Sequence, residues 1–401
     1  MLQKRETKYN LIEFLLFLII LYTIMPVFSR FVSSTLTTYT YLLVVGFAFV
    51  AILFKKGKYT FEKELKLLMP FLAWKALQLI LAADAFLWAY GILLDCIFLV
   101  AGYYIVYFCR YEKIKIGVKI LIGVCLLTLI TTVIGCIQNP EASRILASVE
   151  STDLESIQYD WKNIGGYDFV YMMVLMHPLL ILAYKKGTIK FFVSLLGTIS
   201  LFVLAIYSEY TTALLLVIIT SLLYFFKKKL KFQNLLFLII VAVFFVTFFS
   251  DIFSDLLNRL ADMVNSENIA HRLRALAGGR TGIENSEDNR IELYENSLKT
   301  FFAAPLWGTF LSGGGGIGGH SFILDFIAQY GIIGLSIIVL MYRQIYKYFF
   351  APYKDKAEAG YIYWVFIQAI ILSFVNTGMW LAVLTFFAPM VFKFLYKDEE
   401  K

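Results

Sequence analysis

Apolar runs long enough to cross a bilayer recur along almost the whole chain, and they leave few folds open to it. The hydrocarbon core of a membrane requires about 20 mostly apolar residues per helix. Such runs lie at 11–28, 39–54, 67–83, 86–108, 116–137, 169–184, 189–207, 211–226, 235–253, 331–350, 361–375 and 379–396. Hydrophobic residues make up 60% of the chain and charged residues 16%, against about half apolar in soluble domains. The expected class is therefore all-α: a polytopic integral membrane protein with about 12 transmembrane helices. The first run has no small-residue cleavage site before Ser29-Arg30 and reads as a retained helix, not a signal peptide.

Charge orients these spans. With Lys4, Arg5 and Lys8 in the cytoplasm, every even-numbered connection falls inside and is basic. Those connections carry Lys55, Lys56, Lys58, Lys63 and Lys66, then Arg110, Lys113 and Lys115, then Lys185, Lys186 and Lys190. Lys227 to Lys231 and Arg343, Lys347, Lys354 and Lys356 follow, and the C-terminal Lys393, Lys397 and Lys401 agree. This is the positive-inside pattern, and it puts both termini in the cytoplasm. Basic residues expected outside are Arg30, Arg144, Lys162, Arg259, Arg272, Arg274, Arg280, Arg290 and Lys299. Arginine dominates that set, although the chain holds many more lysines. A planar guanidinium suits bidentate recognition of phosphate or carboxylate; pairing with the external acids is the competing reading. The formal charge of +7 thus follows membrane topology, and nucleic acid is not an expected partner.

The chain divides into residues 1–253 with nine spans, a large external segment 254–330, and residues 331–401 with three spans. A second external segment runs from Gln138 to Asp168. Connections this long are uncommon unless functional or disordered. Within 254–330 a helix is expected to open at Arg290 behind Asp288 or Asn289 as cap. Ile291, Tyr294, Leu298, Phe301 and Phe302 would share its apolar face, Glu295 and Lys299 would pair, and Pro305 would follow its end. A second short amphipathic helix is expected over His320 to Gly331, with Phe322, Ile323, Phe326 and Ile327 on its apolar side.

Several residues bear chemistry. The run Gly313 to Gly319 lacks the Gly-Lys-Ser/Thr ending of a nucleotide P-loop and follows no strand. It offers backbone N–H groups to an anion or simple flexibility. His320, next to it, reads as a proton acceptor for a substrate hydroxyl or as a capping residue. His177, before Pro178, marks a packed and kinked span, and His271 beside Arg272 and Arg274 could join an anion site. Lys75 and Asp95 fall at matching depths in consecutive spans and read as an intramembrane ion pair rather than a proton relay. Cys96, Cys109, Cys125 and Cys136 show no CxxC spacing and read as buried small side chains. No Asp-x-Asp pair occurs, so no metal or other cofactor is expected; arginines would take the place of a metal beside a leaving phosphate.

The order Arg290-x-x-x-Tyr294, Pro305-Leu-x-Gly308, glycine-rich loop, His320-Ser321 and Gly331-Ile-Ile-Gly334 resembles the O-antigen ligase and polymerase superfamily. The likeness is specific over 289–334 and architectural elsewhere. Tyr294 stands where Trp is common in that family, and Ser321 where Asn is. Many relatives also carry a Ser-Arg pair opening the span that matches Thr211 to Phe226. Here the stretch is Tyr207-Ser208-Glu209-Tyr210-Thr211. A second phosphate-binding arginine then falls to Arg280, Arg272 or Arg274, and the pattern favours capsule or exopolysaccharide polymerases over ligases.

The resemblance implies a glycosyltransferase of the GT-C kind in the bacterial cytoplasmic membrane, with its active site on the external face. The implied donor is a growing glycan on a polyprenyl diphosphate, and the acceptor is a lipid-linked oligosaccharide repeat unit. Arg290 and His320 are the catalytic candidates. Arg280, Arg272, Arg274, Tyr294, Asp168 and Glu209 are candidates for substrate binding, with Asp251 and Asp325 as reserve acids. Tyr159, Trp161, Tyr167 and Trp307 could pack on sugar faces. Membrane lipid, a flippase and a chain-length regulator are the implied partners. The alternatives are a ligase acting on another acceptor, and a flippase or transporter of lipid-linked oligosaccharide.

Overall fold

The computed structural model describes residues 102, 109–139, 142, 164–226, 233–234, 236–237, 240, 250–264, 267–277, 290–309, 317–376, 378 and 380–396. The first four expected spans, the Lys75/Asp95 pair, Cys96, Tyr159, Trp161, Arg280 and Gly313 to Gly316 lie outside the described residues, as do most of 138–168 and 235–253. So do the side chains of Asp251, Arg272 and Arg290.

The described residues form helices and no strands. In chain order these are α1 (Tyr111–Gln138), α2 (Tyr167–Lys185), α3 (Phe191–Tyr207) and α4 (Thr211–Ser221, continued by a 3-10 turn, Leu222–Phe225). Next come α5 (Ser250–Met263), α6 (Glu267–Leu276) and α7 (Arg290–Ala303). The last are α8 (Phe322–Ile345, running on through a π turn to Tyr353), α9 (Ala359–Val375) and α10 (Ala388–Leu395, preceded by a π turn over Ala382–Phe387). Three helices, Tyr111–Gln138, Tyr167–Lys185 and Phe322–Tyr353, are long and apolar enough to cross a membrane. Four shorter apolar helices, Phe191–Tyr207, Thr211–Phe225, Ala359–Val375 and Ala382–Leu395, coincide with expected spans.

Helix α2 is central. It packs on α3, α4, α9 and α10, and Phe169, Val170, Tyr171, Leu175, Ile181 and Leu182 are buried along it. Helix α1 has an inner face and a bare apolar one. Val118, Leu121, Cys125, Leu129 and Cys136 are buried, while Ile116, Ile122, Leu127, Ile130 and Ile134 are exposed. A helix apolar all round with one apolar face uncovered is suited to lipid rather than water. Cys109, Cys125 and Cys136 are buried, as small core side chains should be.

Polar groups inside the bundle find one another. His177 is buried in α2 beside Pro178, and its Nε2 lies 3.0 Å from Thr198 Oγ1 of α3. Thr198 Oγ1 in turn lies 2.9 Å from the Tyr224 hydroxyl. Trp364 donates its indole N–H to Thr220 Oγ1 at 3.1 Å. Such pairing is required where water is scarce.

The bundle has two chemically distinct ends. At one, Lys185 donates to the Tyr224 and Phe226 carbonyls (2.9 and 2.7 Å). Lys186 there lies over the Tyr396 ring at 3.4 Å, and Tyr111 stacks on Phe394. These contacts bring the first turn of α1, the C-terminal ends of α2 and α10 and the 3-10 turn after α4 together at one end. The opposite end carries Tyr167, Tyr210, Val375 and Ser321, and the insert docks there.

The insert's second helix, expected over His320 to Gly331, starts at Phe322, and a non-helical break at Gly331 (φ 63°, ψ −159°) separates it from the span that follows within α8. On α7 the buried position is Ser297, whereas Leu298 is exposed and Phe302 is 73% exposed. Helix α7 docks through hydrogen bonds, so its apolar residues are not the ones that determine the buried face.

Candidate functional site

Helix α7 begins at Arg290, where the sequence places its opening, and the exposed Lys299–Glu295 pair forms at 3.1 Å. Three contacts fix its first two turns. Tyr294 donates its hydroxyl to the Val375 carbonyl at 3.1 Å. Ser297 donates to Asp325 Oδ1 at 2.6 Å and accepts from the Gly318 N–H at 3.0 Å. Gly318 lies so close to Leu293 that a Cβ there would sit 2.2 Å from the Leu293 carbonyl oxygen. A chain with a side chain at 318 could not approach α7 this way.

The same atoms start α8. Ser321 is its N-cap and accepts from the Leu324 N–H at 3.1 Å, while Asp325 Oδ2 accepts from the Ser321 N–H at 2.9 Å. This reciprocal arrangement satisfies donors that a helix start otherwise leaves open. The Phe322 N–H donates to the Asn376 carbonyl at 3.0 Å. Helix α9 therefore ends on two groups from the insert, the Tyr294 hydroxyl and the Phe322 amide.

The Pro305 to Gly308 turn then lies along the bend in α8. Thr309 N–H donates to Ala328 O at 3.1 Å and Ile332 N–H to Pro305 O at 2.8 Å. The motif segments read from the sequence are thus one assembly: α7, the 305–308 turn, Gly318 to Ser321, and the Gly331 bend. Arg290 lies one turn before Tyr294, at the end of α7 that meets Gly318. His320, two residues on, is half-buried, and its buried Nδ1 has no hydrogen-bond partner.

The remaining candidates separate. Arg274 pairs with Asp262 at 2.8 Å across α6 and α5. The backbone of Arg272 lies in α6. Asp325 accepts from Ser297 with one carboxylate oxygen and from the Ser321 N–H with the other. Tyr294 likewise has a backbone partner. Trp307 is exposed on the 305–308 turn beside Leu306.

Asp168 and Glu209 flank a second feature. Asp168 is exposed in the first turn of α2, and Glu209 is buried between α3 and α4 at φ 61°. Between them four rings gather: Tyr167–Tyr171 at 4.6 Å, Tyr167–Tyr210 at 5.6 Å, Tyr171–Trp380 at 5.7 Å and Tyr167–Trp380 at 6.3 Å between centroids. Sequence reasoning named only Tyr167 here. Trp380, Tyr210, Asn376 and Ser297 were missed, although the Asn376-Thr-Gly378-Met-Trp380 break between two apolar runs was a turn signal. Among the described residues no three His, Cys, Asp or Glu side chains cluster closely enough to hold a metal ion.

No family model matches this chain, and no curated protein matches it in sequence.

Proposed function

We propose that this chain is a bacterial cell-surface polysaccharide polymerase. It transfers a growing glycan from polyprenyl diphosphate to a lipid-linked oligosaccharide repeat unit on the external face of the cytoplasmic membrane. The observation that carries the reading is the assembly of the Arg290, Pro305–Gly308, Gly318–Ser321 and Gly331 segments into one unit on the end of the bundle away from Lys185. That end is where a glycan on a membrane-held lipid meets both water and bilayer.

In this reading the acceptor hydroxyl oxygen attacks the anomeric carbon of the donor sugar, and the carbon–oxygen bond to diphosphate breaks with inversion. The polyprenyl diphosphate leaves with the electron pair, and the hydroxyl proton passes to His320. A diphosphate leaving group needs positive charge more than a proton. Arg290 supplies that charge, with Arg272 or Arg280 as second contact. Arg274 is less suited, because Asp262 already holds it. His320 suits the base because its Nδ1 has no protein partner that would compete for the proton.

The test uses purified full chain in detergent with lipid-linked repeat units, no nucleotide sugar and EDTA present. Wild type is expected to give a ladder of products on a gel, and Arg290→Ala and His320→Ala to lose it while remaining folded. A wild type that makes no ladder yet moves the lipid-linked units across liposome membranes would overturn the reading in favour of a transporter.

A further inference from the structure

Tyr167, Tyr171, Tyr210 and Trp380 come from three parts of the chain and meet at the end of the bundle where the insert docks. Tyr171 is 2% exposed and forms the floor; the other three rings are half-buried. Two observations set this cluster apart from core packing. The first is backbone strain. The only non-glycine residues at positive φ among the described residues are Glu209 (61°) and Trp380 (53°). One precedes Tyr210 and the other is a cluster member. For a residue as bulky as tryptophan this is an unfavourable backbone state, held only where its surroundings over-determine it.

The second is unmet hydrogen bonding. The indole Nε1 of Trp380 is buried and has no partner, and neither has the amide Nδ2 of Asn376, four residues earlier, whose residue is 5% exposed. Leaving two such buried donors unpaired is costly, and a ligand carrying acceptor oxygens removes that cost. Gly378 lies between them in the chain and packs against the Trp380 ring, where a Cβ would lie 3.2 Å from it.

Chemistry narrows the ligand. The charged groups beside the rings are Asp168, next to Tyr167, and Glu209, next to Tyr210; both are acids, which disfavours a phosphate. An isoprenoid would cover the rings but leave both N–H donors unpaired. A sugar ring has an apolar C–H face for aromatic surfaces and hydroxyl oxygens for the donors.

We propose that Tyr167, Tyr210 and Trp380, with Asn376, form a binding subsite for an uncharged pyranose. Resting on the polymerase reading, this subsite holds the acceptor sugar, apart from the arginines that face the diphosphate. Acceptor and leaving group are then sorted by charge: neutral sugar against acids and rings, diphosphate against guanidinium.

The experiment is saturation-transfer NMR on the full chain in nanodiscs. The probes are the methyl glycosides of glucose, galactose, N-acetylglucosamine and rhamnose. At least one is expected to receive saturation at its ring protons. Its binding is expected to weaken about tenfold or more in Trp380→Leu and Tyr210→Leu, a loss of roughly 1.4 kcal/mol. Absence of transfer to all four glycosides from folded wild type overturns the subsite, and so does wild-type binding by both folded leucine variants. Should a leucine variant fail to fold, Trp380→Phe keeps an aromatic ring but loses the N–H and part of the stacking surface; undiminished binding by it overturns the proposal. The ladder assay separates the two readings. A chain that polymerises but binds no glycoside loses only the subsite, and one that binds glycosides but builds no ladder loses only the polymerase.

Discussion

Gly308 and Gly331 close the two ends of one backbone-to-backbone contact, both at positive φ (65° and 63°). A Cβ on Gly308 would lie 2.4 Å from the Gln329 carbonyl, and one on Gly331 would lie 2.4 Å from that of Leu306. Each alanine substitution here combines a left-handed backbone penalty of about 1–2 kcal/mol with a collision that only backbone movement relieves. Gly308→Ala and Gly331→Ala are expected to lower the melting temperature more than Gly187→Ala, which shares the positive φ but meets open space. Equal shifts for all three, measured by thermal unfolding in detergent, would show that the close approach contributes nothing.

Ser297 joins α7 to both the glycine loop and the start of α8. Ser297→Ala leaves an Asp325 oxygen and the Gly318 N–H without their partner, a loss of about 1–3 kcal/mol. Hydrogen exchange at Gly318 to Leu324 is expected to speed up, with exchange in α2 unchanged. Protection as in wild type would mean that the helix N-cap alone orders this segment.

Tyr294 separates a structural role from a substrate-binding one. Because its hydroxyl serves the Val375 carbonyl, Tyr294→Phe is expected to cost about 0.5–1.5 kcal/mol of stability. The fully folded variant is expected to keep its rate of ladder formation within a few-fold. A drop of a hundredfold with unchanged melting would place the hydroxyl on substrate instead.

Arg290 and Arg274 are expected to respond differently to the same change. Arg290→Lys retains charge but loses the planar fork, and it is expected to slow ladder formation by about tenfold or more. Arg274→Lys, at an exposed pair with Asp262, is expected to alter stability by at most about 1 kcal/mol and leave the rate near wild type. Reversed outcomes in gel-based rates would move the diphosphate contact from α7 to α6.

What could be read from the sequence was the local part. The opening of α7 at Arg290, the Glu295–Lys299 pair and the stop near Pro305 depend on neighbours within a few residues. The helices over α1 to α4 and α8 to α10 depend on apolar runs that need no partner to be recognised. No local pattern marks Ser297 as the buried position on α7, because it is drawn inward by Asp325, 28 residues away, while Phe302 stays exposed. The ring cluster was missed for the same reason: Tyr210 and Trp380 are ordinary aromatics in their own segments. Nor does any local pattern announce that a tryptophan will adopt a left-handed backbone.

Helix α9 ends on Val375 and Asn376, and the insert grips those two adjacent carbonyls from two different places, Tyr294 and Phe322. The first bond belongs to α7 and the second opens α8, so two helix starts are tied to one chain end. With Ser297 held by Asp325 and Gly318 as well, sliding or turning α7 would break at least one of these bonds, at about 1–3 kcal/mol. Arg290, four residues before Tyr294, is therefore carried on a helix start that is clamped over the bundle end.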